Sequence, residues 1–305
     1  MSIMGSWLES LAEPFTINAS CLRTVSPFSH CEKCLHACPE EAIKLEKTEM
    51  RIESEQCTAC GQCIPSCPVH AIEGNVPKRD VIEGILLYEP TFTPTYLELL
   101  YYYHKGVQSI YQEEGVIPES WELEMKEANR ILNEMALPPI TITKHRPDKR
   151  DVVMSRRQLF SFFSAESRDM LASTVTPAKW RFNHEAFSLH RAFPDWQFYQ
   201  VNMDPEHCIL CMSCIRTCAM KVFQIEGDQL MIHQEKCVGC NLCEDICQED
   251  AVHVHELIKE KETIQHQLYQ HRCPSCHLPY YSWKEENEKC FVCERMVGIR
   301  GNSLF

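Results

Sequence analysis

The chain has 305 residues, 44% of them hydrophobic and 24% charged, a composition that fits two or more folded domains and excludes a disordered polymer. Thirty basic against 43 acidic residues give a formal charge of -13, which argues against a general nucleic-acid surface and suits a basic protein partner. No apolar run approaches the roughly 18 residues of a membrane span. The opening "MSIMGSWLESLAEPF" has neither a basic start nor a continuous apolar stretch, so no export and no membrane insertion are expected and a cytoplasmic location is. In a reducing compartment the 20 cysteines read as metal ligands rather than as disulfides.

Residues 1–75 contain Cys21, Cys31, Cys34 and Cys38, followed by "CTACGQCIPSCPVHAI", which sets Cys57, Cys60, Cys63 and Cys67 within eleven positions. Four thiols so close serve either a disulfide framework or a cradle for a metal or cluster. Between the two groups, "AIKLEKTEMRIESEQC" alternates β-favourable residues on either side of a polar turn and predicts a hairpin.

Residues 76–150 are expected to form a small α/β segment. "DVIEGILLYEP", "VQSIYQEE" and "PITITKHRP" read as strands, with "PTYLELLYYYHKG" and "SWELEMKEANRILNEMA" as the helices between them; the alternation predicts a βαβαβ unit with a parallel sheet. Thr93 before Pro94, and Ser120 before Trp121, are the expected helix caps. Leu137, Pro138 and Pro139 end the second helix. Neither G-x-G-x-x-G nor G-x-x-x-x-G-K follows the first strand, so no nucleotide site is evident. Tyr101, Tyr102 and Tyr103 cover most of a helix circumference and read as buried or interface residues. Residues 151–203 are assigned to a helical linker. Its "SRRQLFSFF" looks like a twin-arginine signal but lies in mid-chain without a long apolar stretch behind it; Arg156 and Arg157 read as a solvated charged face.

Residues 204–256 hold two runs, "CILCMSCIRTC" with Cys208, Cys211, Cys214 and Cys218, and "CVGCNLCEDIC" with Cys237, Cys240, Cys243 and Cys247. Both are C-x2-C-x2-C-x3-C, and the chain here resembles the bacterial-type ferredoxins that hold two [4Fe-4S] clusters. The resemblance implies that Cys208, Cys211, Cys214 and Cys247 hold one cluster, and that Cys237, Cys240, Cys243 and Cys218 hold another. Cys38, Cys57, Cys60, Cys63 and Cys67 map onto Cys218, Cys237, Cys240, Cys243 and Cys247 at an offset of 180 positions, as do Cys31 and Cys34 onto Cys211 and Cys214. "VFQIEGDQLMIHQEKC" repeats the hairpin pattern. The fold implied is an α+β chain with two ferredoxin-like βαββαβ dicluster modules, separated by the small α/β segment and followed by a C-terminal metal ribbon.

At one position the copies differ. The counterpart of Cys208 is Phe28, and the nearest remaining thiol is Cys21, ten residues before Cys31; a loop of that length costs little more to close than a short one, so Cys21 is expected to take the place of the missing ligand. Without it the site keeps three thiolates. Ala219 and Gln248 stand where Pro39 and Pro68 follow their cysteines, a change of turn rather than of ligation.

Residues 257–305 are assigned to a connector helix and a four-cysteine ribbon. "ELIKEKETIQHQLYQHR" is polar, with Leu257, Ile264 and Leu268 toward one helical face. The pairs "CPSC" and "CFVC" (Cys273, Cys276, Cys290, Cys293) suit tetrahedral coordination by four thiolates, with Zn2+ favoured over a rubredoxin-like iron that takes the same ligands. His277, His253 and His255 are expected to pack or lie exposed rather than ligate. With Cys21 included, every cysteine has a place and no thiol remains for a nucleophile.

The expected function is that of an iron-sulfur electron carrier relaying single electrons through four [4Fe-4S] clusters, as a subunit or redox partner of a larger oxidoreductase. Two other classes stay open. One is an iron-sulfur enzyme with its site in the α/β segment or at the first cluster; the other is an oxidant sensor or interaction protein whose clusters are structural.

Overall fold

The alternating hydrophobic pattern of "AIKLEKTEM" and its counterpart 180 positions later closes two hairpins of the same register. β2 (Ile43–Glu46) pairs antiparallel with β3 (Glu49–Ile52), Ile43 facing Ile52; β10 (Phe223–Glu226) pairs with β11 (Gln229–His233), Phe223 facing Ile232. Lys47 and Gly227 turn these hairpins at positive φ, 58° and 63°. The computed structural model describes residues 15–74, 79–147, 188–286 and 288–295. Its contacts group the chain into two units: residues 1–25 with 32–193, and residues 26–31 with 194–305. The expected helix around Arg156 and Arg157 lies outside the described residues.

In the first unit the order is β1 (Thr16–Ile17), two helical turns α1 (Leu22–Val25) and α2 (Lys33–His36), the β2–β3 hairpin, α3 (Cys63–Ser66) and β4 (Ile72–Glu73). β1 and β4 pair antiparallel, Ile17 opposite Ile72. Ile43, Met50, Ile64 and Ile72 are buried in one core together with Cys34, Cys63 and Cys67. So few apolar residues make a small core, and the thiols occupy a large part of it.

The same unit carries a four-stranded sheet in the order β5 (Val81–Ile82), β6 (Ile85–Leu87), β7 (Ser109–Tyr111), β8 (Thr141–Thr143). β6, β7 and β8 run parallel, and β5 is antiparallel to β6. The stretch "DVIEGILLYEP" is therefore a hairpin and not the single strand expected: Glu83 and Gly84, at φ 49° and 76°, form the two-residue turn whose positive φ values favour a tight reversal. Helices α4 (Tyr96–His104) and α5 (Glu119–Glu134) connect the parallel strands, burying Leu99, Leu100, Trp121 and Leu132. The caps differ from expectation. Thr95, not Thr93, begins α4, its hydroxyl accepting the Glu98 N–H at 3.2 Å. Ser120 lies within α5 behind Pro118, and its hydroxyl instead meets that of Thr93 at 3.0 Å. A short helix, α6 (Leu189–Ala192), is the last element of this unit.

The second unit runs β9 (Trp196–Met203), α7 (Ser213–Thr217), the β10–β11 hairpin, α8 (Leu242–Asp245) and β12 (Val252–Glu260). β9 pairs antiparallel with β12, Val252 opposite Met203. The last part of the expected helical linker is thus a strand: "WQFYQVNM" pairs with β12 and buries Gln197, Phe198, Gln200 and Val201. Gln234, fully buried, fastens this sheet: its amide accepts the Val201 N–H at 2.7 Å and donates to the Val201 carbonyl at 2.9 Å.

The connector helix is also corrected. β12 runs on to Glu260, and β13 (Thr263–Gln267) joins the hairpin as a third strand, Ile232 opposite Ile264. β14 (Tyr269–Arg272) then pairs with β15 (Pro279–Ser282). Ile264 and His266 point inward between exposed Thr263, Gln265 and Gln267; a period of two, masked by polarity, outweighs the helical spacing of Leu257, Ile264 and Leu268. Among the described residues no helix is long and apolar enough to cross a membrane.

Candidate cluster and metal sites

In the N-terminal run the backbone winds tightly around its cysteines. Ala59 and Gly61 flank Cys60 at φ 56° and 80°, Cys63 opens α3, and Cys63 and Cys67 are buried. The Cys63 thiol is held well above its ordinary pKa, first by burial and then by repulsion from Cys60, Cys34, Cys38 and Cys57. A small cavity is lined by Cys38, Cys57, Cys60 and Cys63. Each three-residue step ends the same way. Glu41 and His70 are left-handed, at φ 50° and 52°, which turns the next N–H back: Ala42 donates to Cys38 Sγ and Ala71 to Cys67 Sγ, both at 3.2 Å.

The second unit repeats this at the same offset. Leu210 and Met212 flank Cys211, and Gly239 and Asn241 flank Cys240, all with positive φ. Lys221 and Asp250 are left-handed, and Val222 donates to Cys218 Sγ at 3.4 Å, Ala251 to Cys247 Sγ at 3.3 Å. Burial, then Cys240, Cys237, Cys214 and Cys218, raises the Cys243 thiol. Cys214 is pushed up to about 12 by burial, then chiefly by Cys208 and Cys211, with Cys247 contributing. A cavity of about 160 Å3 is lined by Cys208, Cys211, Cys214 and Cys247, with Cys243. Gly239 is demanded by its surroundings: at φ 60°, a Cβ there would lie 2.2 Å from the Tyr199 ring.

The first N-terminal cysteine run departs from this pattern. Glu32, the counterpart of left-handed Met212, has φ -135°, and Phe28 is 60% exposed. Cys21 instead stands where Cys208 stands relative to the strands. Asn18, following β1, donates its N–H to the Ala71 carbonyl, and Asp204, following β9, donates to the Ala251 carbonyl. Each then accepts on its side chain the N–H two residues on, Ser20 at 2.9 Å and Glu206 at 2.8 Å. Each also accepts on its backbone the N–H of the cysteine, Cys21 at 3.1 Å and Cys208 at 2.9 Å. Cys21 packs against the same core as Cys34, Cys38, Cys57, Cys63 and Cys67. Cys31 is half-buried.

In the ribbon, Cys273, Cys276, Cys290 and Cys293 place their sulfurs within 4.8 Å of one another. Cys276 and Cys290 are 3.8 Å apart, about the 3.8 Å edge of a sulfur tetrahedron built on Zn–S bonds of about 2.3 Å. N–H groups of Cys276, Cys290 and Ser275 lower the Cys273 thiol to about 6, whereas Cys293, hydrogen-bonded first to the Cys276 sulfur, is pushed up to about 12. These donors favour the thiolate form of Cys273. None of the 20 cysteines is in a disulfide.

The histidines singled out in the sequence lie outside these thiol groups. His253 lies 3.5 Å from the Glu244 carboxylate and half-exposed, and His255 and His277 are exposed. The tyrosines of α4 are half-buried, Tyr102 accepting the Arg79 N–H at 3.4 Å. Sequence reasoning missed the strongest buried electrostatic contact of the α/β segment: Arg79 grips the Glu98 carboxylate with Nε at 2.8 Å and Nη2 at 3.3 Å, both residues at most 3% exposed. It also missed Trp283 and Phe291, whose aromatic size within the ribbon was the available signal.

Family models match three places in the chain: an LdpA Fe-S cluster-binding domain at residues 27–76, and 4Fe-4S binding domains at 205–221 and 230–253. An uncharacterized ferredoxin of Methanocaldococcus jannaschii is 42% identical over 45 residues, 14% of this chain and 73% of that protein. A ferredoxin of Methanothermococcus thermolithotrophicus is 40% identical over 47 residues, 15% of this chain and 78% of that one. The chain belongs to the iron-sulfur ferredoxins. This ferredoxin also matches one component of an ion-translocating oxidoreductase complex of Methanosarcina acetivorans, at 46% identity over 43 residues, 14% of this chain, but spans only 16% of that component's length.

Proposed function

We infer that this ferredoxin relays single electrons through four [4Fe-4S] clusters, with Zn2+ in the ribbon, and serves a larger oxidoreductase as subunit or partner. The cluster ligands would be Cys21, Cys31, Cys34 and Cys67; Cys38, Cys57, Cys60 and Cys63; Cys208, Cys211, Cys214 and Cys247; and Cys218, Cys237, Cys240 and Cys243. The observation that carries this reading is the matched crowding of Cys63 and Cys243, each opposed in its ionisation by burial and by the same four positions of its module. Thiols so placed are poor thiolates alone and become stable ones beside a cationic iron core.

A bound [4Fe-4S] core supplies one-electron exchange between its 2+ and 1+ states. The chain's own residues do the rest. Thiolates anchor, the N–H groups of Ala42, Ala71, Val222 and Ala251 donate to sulfur, and the buried Ile43, Ile64, Leu230 and Ile232 keep water from the sulfur surroundings. The relatives named as oxidoreductase subunits, in Methanosarcina acetivorans and Archaeoglobus fulgidus, support a place in a multisubunit redox assembly. The accord between Cys21 and Cys208 in their strand-end turns supports four complete thiolate sets.

Iron, sulfide and zinc analysis of anaerobically purified protein is the first test, with about sixteen irons and one zinc per chain expected. Redox titration is the second. Reversible one-electron reduction of several clusters is expected; clusters that decay without reversible reduction would favour an oxidant sensor and overturn the relay.

A further inference from the structure

The cavity lined by Cys208, Cys211, Cys214 and Cys247 is not enclosed by the ferredoxin module alone. Phe291, located between Cys290 and Cys293 of the ribbon, lines it, and so does Arg295 from the following turn. Arg295 pairs with Glu249, itself part of the cavity wall. From between the two cysteine pairs, Trp283 donates its indole N–H to the Cys208 carbonyl at 2.6 Å. The indole packs against the module core and meets the His266 ring edge-on at 5.7 Å.

These contacts come from two places in the ribbon: Trp283, between its "C-x2-C" pairs, holds the backbone of Cys208, a wall residue, whereas Phe291, inside the second pair, and Arg295 after it line the cavity itself. Trp283 follows β15, which is short and, among the described residues, pairs only with β14. Phe291 is set in the sequence between Cys290 and Cys293 of the four-thiol group. A hairpin of that size has too little core to fix either aromatic by itself, so its shape depends on the metal that joins its knuckles.

We propose that the four-cysteine ribbon is a metal-set lid: it covers one side of the cavity of the Cys208, Cys211, Cys214 and Cys247 cluster, leaving Cys211 at the surface, with Phe291 as plug and Trp283 as latch. The inference rests on the cluster reading given above and assigns the ribbon a task within it. Metal in the ribbon orders the knuckles, the knuckles hold Phe291 in the wall, and one cluster of the four gains protection from small reagents. The other three depend on their own modules.

The test is anaerobic transfer of iron from the full-length protein to a colourless ferrous chelator in excess, with zinc measured separately. Phe291→Ala and Trp283→Phe are expected to release about a quarter of the iron, one cube of four, about fivefold faster than the unaltered protein, with the remaining iron unchanged. A fivefold change corresponds to about 1 kcal/mol of closing free energy, the scale of one hydrogen bond. Phe291→Leu, which keeps the apolar plug, is expected to behave as the unaltered protein. Equal acceleration of all the iron, no acceleration, or fast release from Phe291→Leu would overturn the lid while leaving four clusters in place. An unaltered protein that lacks four-iron clusters overturns the cluster reading itself, and the lid with it.

Discussion

Replacing Cys21 with alanine tests the one proposed ligand that no motif supplies. Cys21 and Cys208 occupy like positions after β1 and β9, each with its N–H on the carbonyl of an Asn18 or Asp204 turn, so loss of Cys21 should strip one iron of its protein thiolate just as loss of Cys208 would. The first cube then keeps three thiolates. Iron should fall from about sixteen per chain by at least one and at most four, as the corner iron or the whole cube is lost. Visible cluster absorption should fall by no more than about a quarter. Phe28→Ala, at a side chain 60% exposed, should leave both quantities unchanged. The assay is iron and sulfide content with cluster absorption on anaerobic protein. Full iron in Cys21→Ala, or loss of iron in Phe28→Ala, would refute the argument from the strand-end turns.

Arg79→Met should destabilise the α/β segment by about 3–5 kcal/mol, because it leaves the Glu98 carboxylate buried without its partner; hydrogen exchange of α4 amides measures the loss. Burial already raises the Glu98 pKa against the opposing pull of Arg79, and removing Arg79 raises it further. The folded variant therefore holds a proton that the unfolded chain has released, so its deficit relative to the unaltered protein should grow as pH rises above the ordinary carboxylate range and shrink in acid. Gly239→Ala should cost the second unit about 1–3 kcal/mol from positive φ and collision with Tyr199; in a double-mutant cycle, Tyr199→Ala should recover the collision part only. Removing iron should unfold both cysteine-rich modules, seen as lost cooperative melting by circular dichroism; an iron-free sample that keeps its full transition would refute the view that clusters hold these small cores.

The backbone around the cysteines was legible because their spacing is local: two residues between thiols, then three, dictate a tight loop followed by a helical turn. The hairpins were legible for a similar reason, since Ile43, Leu45, Phe223 and Ile225 alternate beside turn residues. β13 and β14 were not, because "KETIQHQLYQHR" is polar on nearly every face and only Ile264, His266 and Leu268 mark the inward side. The cap at Thr95 lay two residues from the expected Thr93, because Pro94 is equally suited to precede a helix as to begin one. The Arg79 and Glu98 pair is 19 positions apart, a separation over which no periodicity speaks. The roles of Trp283 and Phe291 depend on where the ribbon docks, which spacing within the ribbon does not encode.

At the close of each three-residue step, the polar hydrogen directed at sulfur belongs to the main chain, at Ala42, Ala71, Val222 and Ala251. Side-chain drift at these places cannot delete it; among the natural amino acids only proline would. In the proposed four-cluster arrangement each cluster would receive the same kind of electrostatic help from this source, and any gradient of electron affinity among them would be written in what differs between them: the water each meets, the charges nearby, and the way Cys21 would complete the first set.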